Sequence, residues 1–267
     1  NATANLAGNG SLINGKDSAV LLDTGSTLVS SGDNTIGAVL EGQYNSTLPG
    51  GFTAGIDAEN RGTMAFGNSS AGLYGSNGTR LKNIGSISLG DSSMGLHTNG
   101  SGSYALNDGS IVMGSLSVGI YGQNSSNLEN LSNGVITGNG RETVGIYGEG
   151  SAPLVIANDG RIELNGDKSI GIYSKANGGT SITNNGTVII GNSSDNNNPG
   201  VGIYSENPAD IIVNNGAVSA GNSSVGIYIN GGILNQNNTV NIGNNGTGIY
   251  AAGGTVNLNA GSSLNVS

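Results

Sequence analysis

A four-residue phrase recurs along nearly the whole chain, and its spacing leaves few folds open. Val225-Gly226-Ile227-Tyr228 is a full copy. Ala71-Gly72-Leu73-Tyr74, Met94-Gly95-Leu96-His97, Val118-Gly119-Ile120-Tyr121, Val144-Gly145-Ile146-Tyr147, Ile170-Gly171-Ile172-Tyr173, Val201-Gly202-Ile203-Tyr204 and Thr247-Gly248-Ile249-Tyr250 repeat it, and Ile36-Gly37-Ala38-Val39 is a weaker first copy. Successive phrase glycines lie between 22 and 35 residues apart. That is the period of a solenoid with loops of variable length.

Each repeat has the same internal grammar. The phrase reads as a first strand, its apolar residues facing one way and its Gly and Tyr the other. A second strand runs into an Asn-x-Gly turn, as in Ser181-Ile182-Thr183-Asn184-Asn185-Gly186, where positive φ would favour Gly and Asn. A third, β-branched strand such as Thr187-Val188-Ile189-Ile190 ends at Gly191, and a polar link such as Gly221-Asn222-Ser223-Ser224 leads to the next phrase. The expected fold is all-β: a right-handed parallel β-helix of about nine to ten coils, each of three short strands. At about 4.8 Å per coil the rod would be roughly 45 Å long, built from contacts between neighbouring repeats.

Composition agrees with a narrow core. Gly supplies 50 of 267 residues, aromatics are 4% and Trp is absent, so apolar stacks of Ile, Val and Leu must do the filling. Eight Lys+Arg against 17 Asp+Glu give a net charge of −9. An acidic, charge-poor surface argues against nucleic acid or anionic membrane as a partner. Without cysteine there is no disulfide and no thiolate metal site. No stretch has the length or apolarity of a membrane helix or a secretory signal, so direct membrane insertion of this segment is not expected. The chain begins and ends within the repeat pattern, as a piece of a longer rod would.

Taken in order, residues 1–35 read as degenerate coils, with strands at Ala19–Leu22 and Thr27–Val29 and a turn at Asn14-Gly15. Residues 36–267 read as regular repeats with insertions near 43–53, 124–133 and 193–200. Ala54-Gly55-Ile56 is assigned to a second strand. Asn60, Asn83, Asn107, Asn184 and Asn214 fall seven residues before a closing glycine, and Asn158 falls eight before one. Stacked at one corner, they would form a ladder of amides.

The tyrosine ladder of Tyr74, His97, Tyr121, Tyr147, Tyr173, Tyr204, Tyr228 and Tyr250 is read as structural, through ring stacking between coils. A strip of aromatics that holds sugar rings is the competing reading. His97, the only histidine, occupies a ladder position and has no obvious catalytic partner. Gly90-Asp91-Ser92-Ser93 is a link equivalent to Gly67-Asn68-Ser69-Ser70 and not a nucleophile segment. Asp57, Glu59, Asp91, Asp108, Glu129, Glu142, Glu149, Asp159, Glu163 and Asp167 are scattered through the grammar, whereas a glycosidase or lyase needs clustered carboxylates. No catalytic residue, metal site or cofactor is expected. Insertions in solenoids map to loops on a binding face. The binding candidates are therefore Tyr44 and Phe52 in the first insertion, followed by Asp195, Asn197 and Pro199.

The repeat of Gly-Ile-Tyr, apolar-x-Asn-x-Gly, β-branched strand and polar link resembles the passenger region of very long type V autotransporter adhesins, especially fusobacterial outer-membrane adhesins. The resemblance spans about residues 36–267. It implies a segment displayed outside the cell, anchored through an outer-membrane translocator encoded elsewhere. It also implies binding to a host cell-surface receptor protein, immune receptors among them, to a galactose-type glycan, or to a partner bacterium. The alternative is a structural stalk that holds a binding tip away from the membrane. No catalytic residue carries over from the resemblance.

Overall fold

The computed structural model describes residues 3–6, 9–45, 51–124, 127–195 and 197–266. They form a parallel β-solenoid of about ten coils, with no helix among them. The coil that starts at Ala71 shows the pattern, with strands Ala71–Ser76, Arg80–Asn83 and Ser86–Leu89. The next coil pairs with it in parallel and in register, Leu96 on Leu73, Ala105 on Leu81 and Ile111 on Ile87. Third strands build an eleven-stranded sheet, and first and second strands build one of eighteen.

The core is a set of one-residue columns. Ile120, Ile146, Ile172, Ile203 and Ile227 stack from the phrases, and Leu128, Ile156 and Ile182 from the second strands; Ile111, Ile136 and Ile162 stack from the third. All are fully buried. Each full burial is worth about 1.5–3 kcal/mol relative to exposure, and each residue touches its copies above and below, which is why one phrase can repeat through the rod.

The phrase glycines do not face outward with the tyrosines. A Cβ on Gly119 would lie 2.6 Å from the Gly145 carbonyl oxygen and 2.7 Å from Cγ2 of the core residue Ile136. The chain bends between Val118 and Ile120, so Gly119 is turned inward and pressed against the next coil. The Asn-x-Gly turns also need their glycine for closeness: Gly85, Gly109 and Gly186 lack positive φ, and a Cβ at each would strike the carbonyl of the previous coil's glycine. Positive φ sits instead in the polar links, at Ser69, Ser92, Leu116, Glu142, Lys168 and Ser223, with φ between 53° and 59°, and at the corner after the first strand, at Asn77, Gly78, Gly102, Asn124 and Gly179. The backbone N–H of each of the first four donates to a link carbonyl of the following coil, such as Ser92 to Ser115 at 2.8 Å, and this bond offsets the left-handed conformation.

The amide ladder is present and longer than the sequence pattern indicated. Asn60, Asn83, Asn107, Asn130, Asn158, Asn184 and Asn214 each donate to the next side chain, ending on Gln236, over 2.7–3.0 Å. Asn158 is in register, and its extra residue falls after the third strand, at Asn165. Asn130 joins because much of 124–133 is regular: Asn127–Asn130 is the coil's second strand, with Leu128 in the core, and the added residues lie in the turn after it; residues 125 and 126 lie outside the described residues.

Two other expectations are corrected. Asn14 and Gly15 lie within the strand Gly10–Lys16, because Ser11-Leu12-Ile13 is a disguised phrase in which Ser11 pairs with Ile36 and Ile13 with Ala38. Ala54-Gly55-Ile56 is a turn, and the second strand is Ala58–Asn60. The N-terminal stretch comprises a third strand, Thr3–Leu6, and a whole coil, Gly10–Lys16, Val20–Leu22 and Thr27–Ser30.

Candidate functional site

The first-strand face carries the aromatic column. Ring centroids from Tyr74 through His97, Tyr121, Tyr147, Tyr173, Tyr204 and Tyr228 to Tyr250 are 4.6–5.3 Å apart, one coil per step. Tyr147, Tyr173 and Tyr204 stack with planes within 9°. Carboxylates lace the hydroxyl edge. Tyr121 and Tyr147 both donate to Glu149, and Tyr173 donates to Glu206. The Tyr121 bond holds Glu149 below the usual carboxylate range, with Tyr147 adding to it, while burial and then the Glu149 bond push both phenols well above theirs.

His97 interrupts the column. It meets Tyr74 edge to face at 84°, and its buried Nε2 has no hydrogen-bond partner. Burial lowers its pKa to about 4, so it is neutral at physiological pH. It occupies a tyrosine position and faces no carboxylate relay.

The first insertion leaves the solenoid between the first strand Thr35–Glu41 and the second strand Ala58–Asn60. Two fully buried acids pin it. Asp57 takes the Arg80 guanidinium through two bonds, at 2.6 and 2.8 Å, and accepts the Tyr44 N–H at 2.9 Å. Glu59 accepts Arg61 Nε at 2.8 Å and both the N–H and hydroxyl of Thr53. Burial pushes Glu59 up, yet these bonds outweigh it and hold the carboxyl below its ordinary range. Tyr104 adds a hydroxyl bond to the Gly55 carbonyl at 3.0 Å. Tyr44 and Phe52 are both half-buried, and the structure records no ring contact between them. Residues 46–50 of this insertion lie outside the described residues.

The 193–200 link leaves at the opposite corner, between the third strand Thr187–Ile190 and the first strand Val201–Ser205. Asp195 fixes it: its carboxylate accepts the Asn197 N–H at 2.9 Å, its carbonyl accepts the Asn198 N–H at 3.3 Å, and Lys168 lies 3.7 Å away. Asn196 lies outside the described residues. The far end of the link overhangs the aromatic column. Asn197, Asn198 and Pro199, with Tyr204 and Tyr228 and the apolar wall of Ile170, Val201 and Val225, enclose a hollow of about 240 Å³. Here Tyr204 and Tyr228 meet at 81°, 4.6 Å apart, instead of stacking.

Of the binding candidates read from the sequence, Asn197 and Pro199 thus meet ladder residues, Asp195 holds their loop, and Tyr44 and Phe52 belong to a separate, ion-pinned excursion. The role of Tyr204 and Tyr228 as cavity walls was missed. The signal for it was the sequence position of the long link, immediately before Val201-Gly202-Ile203-Tyr204. Arg80 was also missed, because its partner Asp57 lies in another coil.

The acids are engaged individually: Asp57 and Glu59 by arginines, Glu149 by tyrosines, Asp91 by the Ser115 N–H and Glu163 by Arg161. Among the described residues, no group of three or more His, Asp or Glu side chains is placed to hold a metal ion.

The family described as the BigA third pectate lyase-like domain matches residues 54–228, most of the chain. No curated protein and no solved structure matches it.

Proposed function

This chain belongs to the family of the BigA third pectate lyase-like domain, adhesin-type domains of bacterial surface proteins, and on that premise we propose that it presents a rigid β-helical face for binding a host-cell or bacterial partner. The observation that carries this reading is the placement of the two long excursions. They leave at different corners, and those corners are the two edges of one face, the face that bears the tyrosines. A partner that meets this face would touch half-buried aromatic rings between two backbone-fixed loops. Such a surface suits a glycan or the apolar patch of a receptor protein.

The proposal is for a segment that binds without catalysis. The pectate lyase-like description names a fold shared with enzymes, and function is argued from the site. Asp57, Glu59, Asp91, Glu149 and Glu163 are each held by an arginine, tyrosine or backbone partner and not by a second acid. Extracellular display through an outer-membrane translocator, and kinship with the fusobacterial adhesins in particular, are parts of the same proposal.

A second reading, a spacer, is favoured by the unbroken amide ladder, which stiffens a rod without any ligand. Binding of the 267-residue chain to cultured host cells and to bacterial cells, with and without galactose or N-acetylgalactosamine as competitor, separates the readings. Sugar-sensitive binding makes it a lectin-like adhesin, and sugar-indifferent binding a receptor-protein adhesin. Absence of binding to host and bacterial cells overturns the adhesin reading in favour of the spacer.

A further inference from the structure

We propose that the hollow under the 197–199 link is a subsite for one uncharged sugar ring. This deepens the adhesin reading and rests on it only for the claim that the tyrosine face meets a partner. Three features converge on this chemistry.

The floor is aromatic, and its geometry changes at this point. Tyr173 and Tyr204 are parallel to within 4° and Tyr228 and Tyr250 to within 12°, so the column consists here of two stacks that meet at 81°. In a parallel stack each ring face is covered by the next. At an edge-to-face junction part of a face stays uncovered, and the hollow lies over this junction. An aromatic face, negative at its centre, suits the C–H face of a pyranose.

The rim carries unused neutral hydrogen-bonding groups. The side-chain amides of Asn197 and Asn198 and the Tyr228 hydroxyl make no hydrogen bond to a described residue, although the backbone of both asparagines is fixed by Asp195. Each amide offers donors and an acceptor, and the phenol offers one of each. That mixture suits vicinal hydroxyl groups, which both donate and accept.

The described residues that line the hollow carry no ionic group. The link's charge, Asp195, is paired with Lys168 of the preceding coil, the one carboxylate acting on the floor is Glu206 beside Tyr204, and the chain carries −9 overall. A uronic or sialic acid would enter a negative field with no cation to receive its carboxylate. A hollow of about 240 Å³, walled by Ile170, Val201 and Val225, is also small and short for a peptide segment.

The test uses saturation-transfer NMR on the 267-residue chain with the methyl glycosides of galactose, glucose and N-acetylgalactosamine, and with methyl glucuronide. At least one neutral glycoside should bind at millimolar concentration, and the glucuronide should not. Tyr228→Ala should weaken that binding about tenfold or more. Asn198→Ala, at an exposed link position, should weaken it with the unfolding temperature unchanged, so that loss there cannot be loss of fold. No binding of any neutral glycoside, binding that survives both substitutions, or equal binding of the glucuronide would each overturn the subsite. Cell binding by both variants at the parent level, without glycoside binding, would overturn the subsite and leave the adhesin reading standing. Glycoside binding without cell binding would do the reverse.

Discussion

The side-chain amide of Asn130 donates to Oδ1 of Asn158, 28 residues on and one coil away, at 2.8 Å, with both residues fully buried. Asn130 also donates to the Gly134 carbonyl and receives the Asn107 amide. Asn130→Ala should therefore strand buried groups on both neighbouring coils, at about 1–3 kcal/mol for each group left unpaired. Asn133→Ala removes only an exposed bond to Asp108 and should cost under about 0.5 kcal/mol. Urea unfolding of the two variants measures the difference, and equal midpoints would contradict the ladder's role.

Gly119→Ala places a methyl group against the Gly145 carbonyl and Ile136, and two coils must move apart to admit it. The expected loss is about 2–4 kcal/mol, by overpacking plus broken ladder bonds. In the 267-residue chain the same change at Gly248 meets nothing closer than 3.9 Å and should be nearly neutral. Thermal unfolding of the pair reads this out.

Ile203 is fully buried between Ile172 and Ile227. Ile203→Asp puts an unpaired charge in that column and should cost several kcal/mol. Ser223→Asp, in a link whose left-handed φ of 56° aspartate tolerates, should shift the melting temperature little.

Arg80 neutralises a fully buried Asp57 and bonds the Tyr44 carbonyl. Arg80→Ala should cost about 3–5 kcal/mol, because it leaves a buried carboxylate without a counter-charge, held only by the backbone N–H groups of Tyr44 and residue 80. Proteolysis should then cut first near residues 43–57, where the insertion has lost one of its two pins. Cleavage elsewhere would show that Arg80 does not anchor it.

One partly buried and one fully buried group set opposite pH responses. His97, lowered from 6.5 to about 4 by burial, contributes stability above pH 6.5 that is lost as pH falls toward 4. His97→Tyr should flatten that acid slope. Burial raises Asp210 above 3.8, against the opposing bonds from Ser205 and the Thr180 N–H. Its contribution is complete below pH 3.8 and is lost as pH rises through the folded value, so Asp210→Asn should stabilise the chain at neutral pH and not in strong acid. Melting curves from pH 3.5 to 8 test both.

The sequence by itself determined the solenoid. A phrase that places one Ile per coil at a fixed point, and an Asn before each turn, has few ways to bury both except by stacking equal coils. It also located the tyrosine column and most of the amide ladder, since these repeat with the phrase. The tertiary structure decided what does not repeat locally. Whether Asn127–Asn130 was strand or insertion depended on its neighbours Tyr104–Asn107 and Val155–Asn158, which supply its hydrogen bonds. Why the turn glycines are glycines depended on carbonyls one coil away. The hollow joins residues of three consecutive first strands to a link, and ring orientation at Tyr204 and Tyr228 follows from packing between coils, which no period along the chain encodes.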